Sequence, residues 1–417
     1  MLRRTSGSPE LVDCVEDAAP TLSVAPRLSL AGVFAGVGGF EVGFARHGYE
    51  SALLCDADEA ALAVLKARFP SAEFSTDVRQ LVELPAVDVV TAGFPCQDLS
   101  QVGSRKGIDG PNSSLVGFVL ELLSADRANA PRWIVLENVP FMLRLHAGRA
   151  MSRIVDKLEA NGWSWAYRTV DSRAFGLPQR RRRVVLLASR EKDPRVPLLG
   201  QDAGRPQETK RGRRACGFYW TEGNTGIGWA VDAVPPLKGG SGVHIPSPPA
   251  IWFPGRRFIG TPSLGDAERL QGFEAGWTEA AAEVAAGHRR RWRLVGNAVS
   301  VPMSAWLAGR LSAQGSFDAA AGEDLQHGAP WPAAAWGVNG LRRASTVSDW
   351  PVREKYVHLA SFLQDRAAPL SARATAGFLQ RLRNSTLARE QNFEKDLARH
   401  AKLQQKVESR RRRRARG

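Results

Sequence analysis

Cysteine is scarce in this chain of 417 residues: Cys14, Cys55, Cys96 and Cys216 stand far apart, with no CxxC pair and no histidine close by. That spacing argues against a disulfide scaffold and against a zinc site, so no metal is expected, and it fits a reducing compartment. Long apolar runs are missing as well. No segment approaches the roughly 18 residues that a membrane helix needs, and MLRRTSGSPELVDCVEDAAP has no apolar core resembling a signal peptide. The expectation is a soluble, intracellular protein with no membrane partner. Acid is also in deficit, 42 Asp+Glu against 57 Lys+Arg, giving a net charge of +15. A surplus of that size favours a polyanionic partner, nucleic acid first. What is present is an ordinary globular composition, 43% hydrophobic and 24% charged. The length predicts about two or three structural units.

Residues 1–27 are rich in Ser, Pro and acid and read as loosely ordered. From Leu28 to Ser189, short apolar segments (LSLAGVF, SALLC, VDVVTAGF, RWIVLENV, RVVLLAS) alternate with helical stretches such as EAALAVLKARF and MSRIVDKLEA. Alternation of this kind predicts an α/β fold, a parallel sheet covered by helices on both faces. Between residues 190 and 259 Gly, Pro, Arg and aromatics dominate without helical period, which reads as a small, loop-rich insertion. Helical patterning returns over 260–316. The remaining 317–417 reads as a Gly/Ala/Pro-rich linker followed by helices around 352–365 and 371–408. The final SRRRRRARG is a like-charge run expected to be disordered and solvated when free.

LSLAGVFAGVGGFEVGF reads as a strand, a glycine turn and the start of a helix, a layout that offers backbone N–H groups to a cofactor. The glycines fall at Gly36, Gly38 and Gly39, with Glu41 where a dinucleotide fingerprint places its third glycine, so NAD or FAD is disfavoured. The second strand ends in Asp56, about twenty residues on, a distance suited to ribose hydroxyls. Asp77, after a third short strand, is spaced to reach an exocyclic amine. A plain strand–turn–helix corner, with glycines for packing, is the other reading of this loop alone.

Chemistry gathers at the predicted carboxyl edge of the sheet. GFPCQDLSQVG places a thiol, Cys96, just past a buried strand and ahead of a polar loop. A second strand ends in Glu137-Asn138-Val139-Pro140. Gln179 precedes the run Arg180 to Arg183, where strand alternation points Arg181 and Arg183 to one face and Arg182 to the other. Far along the chain, RWRLVGNAVSVP sets Gly296-Asn297 ahead of a helix.

In order and spacing, FAGVGGF, GFPCQDLS, ENVP, QRRRR, ERLQGF and GNAVSVP resemble the DNA (cytosine-5) methyltransferases of bacterial type, over roughly residues 30–305. The resemblance implies a Rossmann-like, S-adenosylmethionine-dependent methyltransferase sheet. The catalytic domain would span 28–189 and resume over 260–316, with 190–259 as target-recognition region; 317–417, a linker and basic helical C-terminal extension, lies outside the resemblance. Cys96 matches the nucleophile, whose thiolate would add to C6 of cytosine and turn the ring into an enamine reactive at C5. Glu137 matches the acid that holds or protonates N3. Arg181 and Arg183 match arginines that hydrogen-bond the base and help position the nucleophile, and a cationic neighbour also lowers a thiol's pKa. Phe34, Gly36, Gly39, Asp56, Ala57, Asp77, Leu115 and Asn297 would line the S-adenosylmethionine pocket. Ala57 departs from the family, which often has a bulky residue there against the adenine.

The resemblance implies double-stranded DNA as partner, with the target base flipped out of the stack. Gln97, Ser100 and Gln179 are expected to touch DNA, and the segment from Trp220 to Gly242 to read the sequence. It further implies a cytoplasmic monomer acting on chromosomal or phage DNA, either with a cognate restriction endonuclease as a functional partner or as an orphan or phage methylase. The terminal arginines read equally as added phosphate affinity, falling steeply with salt, or as a solvated end. Rival readings are a transfer-RNA cytosine-5 methyltransferase, whose Cys-Phe-Thr tripeptide is not found here, and a catalytically silent DNA-binding protein. A nicotinamide oxidoreductase rests on the glycine loop alone and fails on its spacing.

Overall fold

The structure is a computed structural model that describes residues 28–94, 115–125, 130–207, 210–223, 226–239, 247–284, 286–318, 320, 322–326, 328–387 and 390–414. Its first part runs β1 (Leu28–Val33), α1 (Gly39–Ala45), β2 (Tyr49–Cys55), α2 (Glu59–Arg68), β3 (Glu73–Ser75), β4 (Val89–Ala92), α3 (Leu115–Ala125), β5 (Trp133–Asn138), α4 (Arg149–Ala160), β6 (Ser164–Asp171), β7 (Arg182–Ser189) and α5 (Arg195–Leu199). Next come β8 (Cys216–Phe218), β9 (Ala230–Val231), β10 (Ala250–Phe253), β11 (Phe258–Thr261), α6 (Leu264–Gln271), α7 (Gly287–Asn297) and α8 (Val301–Arg310). Then follow β12 (Ala334–Val338), β13 (Leu341–Ala344), α9 (Leu359–Phe362), β14 (Ala368–Pro369), α10 (Ala372–Arg383) and α11 (Gln391–Arg414).

Nine strands form the main sheet in the order β13-β12-β6-β7-β5-β4-β1-β2-β3. From β3 to β5 neighbours are parallel. The expected parallel sheet is corrected at β7, which runs antiparallel to both β5 and β6. Every residue of β5 is buried, as a strand covered on both faces requires. One layer packs α4 against Ile134, Leu136 and Leu186, and its buried Met151, Ile154, Val155 and Leu158 repeat at helical spacing. The opposite layer sets Phe40 and Phe44 of α1 and Met303 and Leu307 of α8 against Leu30, Val89 and Val135. Strand order reverses between β1 and β4, which opens a crevice at their carboxyl ends.

Four expectations for the later segments change. Residues 190–259 are not all insertion, because Leu198 and Leu199 of α5 belong to the main core. The rest of that stretch supplies most of a second sheet, β14-β11-β10-β8-β9. The stretch after 317 carries the expected helices over 371–408, as α10 and α11, but also strands that were not expected. β12 and β13 extend the main sheet, with β12 antiparallel to β6, while β14, α10 and α11 join the second. The helix expected over 352–365 is limited to Leu359–Phe362. Its neighbours are held extended, with Glu354 N bonded to Ala174 O at 2.9 Å and the Gln364 and Asp365 amides on the Asp266 carboxylate at 2.9 and 3.1 Å. Last, α11 continues through Arg414, so the arginine run is helical where disorder was expected. Once anchored, a helix propagates at little cost through good formers such as Arg, and cations favour its C-terminus.

Candidate active site

The crevice starts with strain. Phe34, leaving β1, has φ of 56°, which is rare for a bulky residue and concentrates at functional sites. Gly36 follows at φ 59°, with open space where a side chain would begin. Its amide donates to Asp56 Oδ2 at 2.8 Å, and the Asp58 amide to Oδ1 at 2.9 Å. Burial pushes the Asp56 carboxyl up, against these two hydrogen bonds. Gly39 has a different task from Gly36. A Cβ there would meet Val299 O at 2.4 Å, so its bare backbone lets the returning 297–299 segment lie on α1. Ala57 is exposed beside Asp56, and Asn297 is exposed at the end of α7. Asp77 gives both carboxylate oxygens to the Arg79 guanidinium at 2.7–3.1 Å, and that pairing pulls its carboxyl below the usual range. Leu115 begins α3.

Glu137 ends β5 and pairs through Oε1 with Arg183 Nε at 2.9 Å, the two side chains being 9% and 14% exposed. A pair so withdrawn from water gains more from its charges than a surface pair does. Asn138 donates through Nδ2 to Phe94 O at 3.3 Å, which ties the end of β5 to the chain leaving β4. Arg181 is buried, its Nη1 donating to Gly296 O at 3.1 Å and its Nη2 to Ala298 O at 2.8 Å. These two bonds fix the segment carrying Asn297. Arg182 turns to the other face and meets Asp349 at 2.9 Å, as strand alternation requires.

Gln179 is corrected as a DNA contact. It is fully buried, with Nε2 donating to Leu270 O at 2.8 Å and Oε1 accepting from Leu237 N at 3.2 Å. Much of Trp220 to Gly242 is likewise scaffold. Trp220, Ile227 and Trp229 lie against the second core, and Ala233, Val234 and Leu237 are buried. Cys96, Gln97, Ser100 and Gly240 to Gly242 lie outside the described residues.

Sequence reasoning missed the contacts that seat the second sheet on the crevice. A Cβ on Gly296 would meet the Lys238 carbonyl carbon at 2.9 Å, and one on Gly239 would meet Arg293 Cγ at the same distance. Arg293 bonds to Asp58, the side-chain cap of α2 two residues after Asp56. The acid pair Asp56/Asp58 was a usable signal; its arginine, 235 positions away, was not.

Glu41 was read only as a missing glycine. It is buried, neither carboxylate oxygen has a hydrogen-bond partner among the described residues, and a Cβ on Gly32 would meet Oε1 at 2.1 Å. Burial, with the Asp56 charge adding to it, pushes its carboxyl from 4.5 up to about 7. The folded state therefore holds this proton more tightly than the unfolded chain, and its stabilising effect is complete below 4.5 and lost as pH rises to 7. We expect Glu41→Gln to remove up to about 3 kcal/mol of that pH dependence. Urea denaturation of both proteins at pH 5 and pH 8 measures it; parallel stability curves would contradict it.

The C-5 cytosine-specific DNA methylase family model matches residues 28–214. A Type II methyltransferase of Bacillus subtilis (strain 168), M2.BsuMI, is 45% identical over 368 residues, 86% of this chain and 94% of that protein. The chain is a C-5 cytosine-specific DNA methylase. A match of that extent takes in part of the segment after residue 317, which the family model leaves out. A second Bacillus subtilis Type II methyltransferase, M.BsuFI, is 32% identical over 163 residues, 39% of each protein. The crystal structure of S. pombe Dnmt2 methyltransferase superposes on this methylase with a TM-score of 0.50 at 17% identity, covering 68% of this chain and 98% of that one, a likeness of fold. Among the described residues of this methylase, no helix is long and apolar enough to cross a membrane, and no three His, Cys, Asp or Glu cluster as metal ligands.

Proposed function

We propose that this methylase moves a methyl group from S-adenosylmethionine to C5 of a cytosine flipped out of a specific duplex sequence, with Cys96 as nucleophile. The observation that carries the reading is the buried Glu137–Arg183 pair at the sheet edge, one strand from the chain that leads into Cys96. The crevice fits the cofactor: Gly36 leaves open space beside Asp56, whose carboxylate stands at the carboxyl end of β2. Phe34, Gly36, Asp56, Ala57, Asp77, Leu115 and Asn297 would hold it, with Gly39 acting through Val299. When bound, S-adenosylmethionine supplies an electrophilic methyl group.

Cys96 adds as thiolate to C6, and the ring becomes nucleophilic at C5. Glu137 steadies N3 as negative charge enters the ring. Arg183 holds both Glu137 and the base, while Arg181 keeps Asn297 in place. After methylation at C5, water takes the proton from that carbon, the freed electron pair re-forms the C5–C6 double bond, and the C6–S bond breaks to restore the thiolate. Gln97 and Ser100 would follow the DNA. The protein would act in the cytoplasm as a monomer on chromosomal or phage DNA, beside a cognate restriction endonuclease.

Bisulfite sequencing of DNA from a methylation-free bacterial host expressing the protein tests this. Protected cytosines confined to one short motif are expected. Complete conversion, from folded protein that binds duplex, would overturn the DNA reading.

A further inference from the structure

α11 carries two faces of opposite character. Phe393, Leu397 and His400 are buried against the second sheet and α10. On the other side Lys395, Arg399, Lys402, Lys406, Arg410 and Arg413 are all exposed, three or four residues apart, so they form one stripe. Over 18 positions the stripe is about 27 Å long, most of one duplex turn of roughly 34 Å. None of the six makes an ion pair or hydrogen bond among the described residues.

The acids of α11 are sorted away from the stripe. Glu394 accepts from Arg383 at 2.7 Å, Asp396 from the Trp252 indole at 3.0 Å and Glu408 from the Ala372 amide at 2.9 Å. A face kept only for solubility gains from oppositely charged residues at i and i+4. Here Lys395/Arg399, Lys402/Lys406 and Lys406/Arg410 are like pairs, each of which opposes the helix. A polyanion laid along the stripe removes that opposition. The sheet beneath α11 also reaches the crevice, because the segment following its β9 strand lies on Gly296 and Arg293.

We propose that α11 is a phosphate rail: its outward stripe binds the backbone of duplex DNA flanking the methylated site, independently of sequence. This rests on duplex DNA being the substrate, as proposed above. The arginine run is then the end of a rail that begins at Lys395.

The test is the full-length variant Lys402→Gln/Lys406→Gln/Arg410→Gln/Arg413→Gln, compared with wild type on a 30-base-pair duplex, by anisotropy between 50 and 200 mM salt. Losing four phosphate contacts should flatten the slope of log K against log salt by about 3–4. The motif protected in bisulfite sequencing should stay the same, and the melting temperature should not fall, since the four side chains have no partners to lose. An unchanged slope overturns the rail, even if wild type methylates duplex DNA normally. A slope change on transfer RNA with none on the duplex overturns it too, in favour of RNA. Wild type that binds the duplex without methylating it would sink the proposed activity, while the slope would still decide the rail.

Discussion

Cys96→Ala is expected to abolish methyl transfer, lowering single-turnover rates by at least about four orders of magnitude while duplex binding survives. C5 of cytosine becomes a competent nucleophile only when a group has added at C6, so losing the thiol removes the step on which the rest depend. The other described thiols are poor substitutes. Burial pushes Cys55 and Cys216 each up to about 11, and Cys216 belongs to the second core, away from the sheet edge. Duplex carrying 5-fluorocytosine makes the result visible, since fluorine cannot leave C5 as a proton does. With S-adenosylmethionine present, wild type should give a protein–DNA adduct stable to SDS and the variant none. An adduct of wild-type yield from the variant would move the nucleophile to another residue.

The second large effect lies far from the chemistry. Phe393→Ala is expected to destabilise the protein by about 3–5 kcal/mol. Its ring lies 4.9–6.2 Å from those of Phe218, Trp229, Trp252 and Phe378, so truncation opens a cavity among large side chains that cannot close over it. Phe218 and Trp252 come from β8 and β10, Phe378 and Phe393 from α10 and α11. If residues 317–417 were an appendage, the same change would cost little. Denaturant unfolding gives the number, and a loss under about 1 kcal/mol would contradict a shared core.

The sequence is most legible where function constrains short motifs. The glycine turn, Glu137 and Arg183 are local signals, and the ends of parallel β1 and β5 with the start of antiparallel β7 bring them to one edge. Gln179 misled because the residue type preferred for a base edge is equally able to knit backbone together, and only the carbonyl of Leu270 and the amide of Leu237 decide between the two. Arg181 carries the same ambiguity, its guanidinium meeting the carbonyls of Gly296 and Ala298. The C-terminal region was least legible. AAWGV and LRRA are too short for periodicity to speak, and β12 is a strand because it finds the edge of β6 across 165 residues or more of chain. Non-local pairing of that kind leaves no mark in a window of ten residues.

The second sheet draws its core from Cys216, Phe218, Ala250, Trp252 and Ile259 on one side and from Leu370, Phe378, Phe393 and Leu397 on the other. Between those two stretches the chain makes α6, α7, α8 and the edge hairpin of the main sheet. The stretch from β8 to β11 cannot be exchanged as one cassette. Replacing residues 205–262 alone would set foreign strands on resident helices, and the chimaera would lose solubility. A working exchange needs two coordinated crossovers, or point changes that leave the aromatic cluster alone.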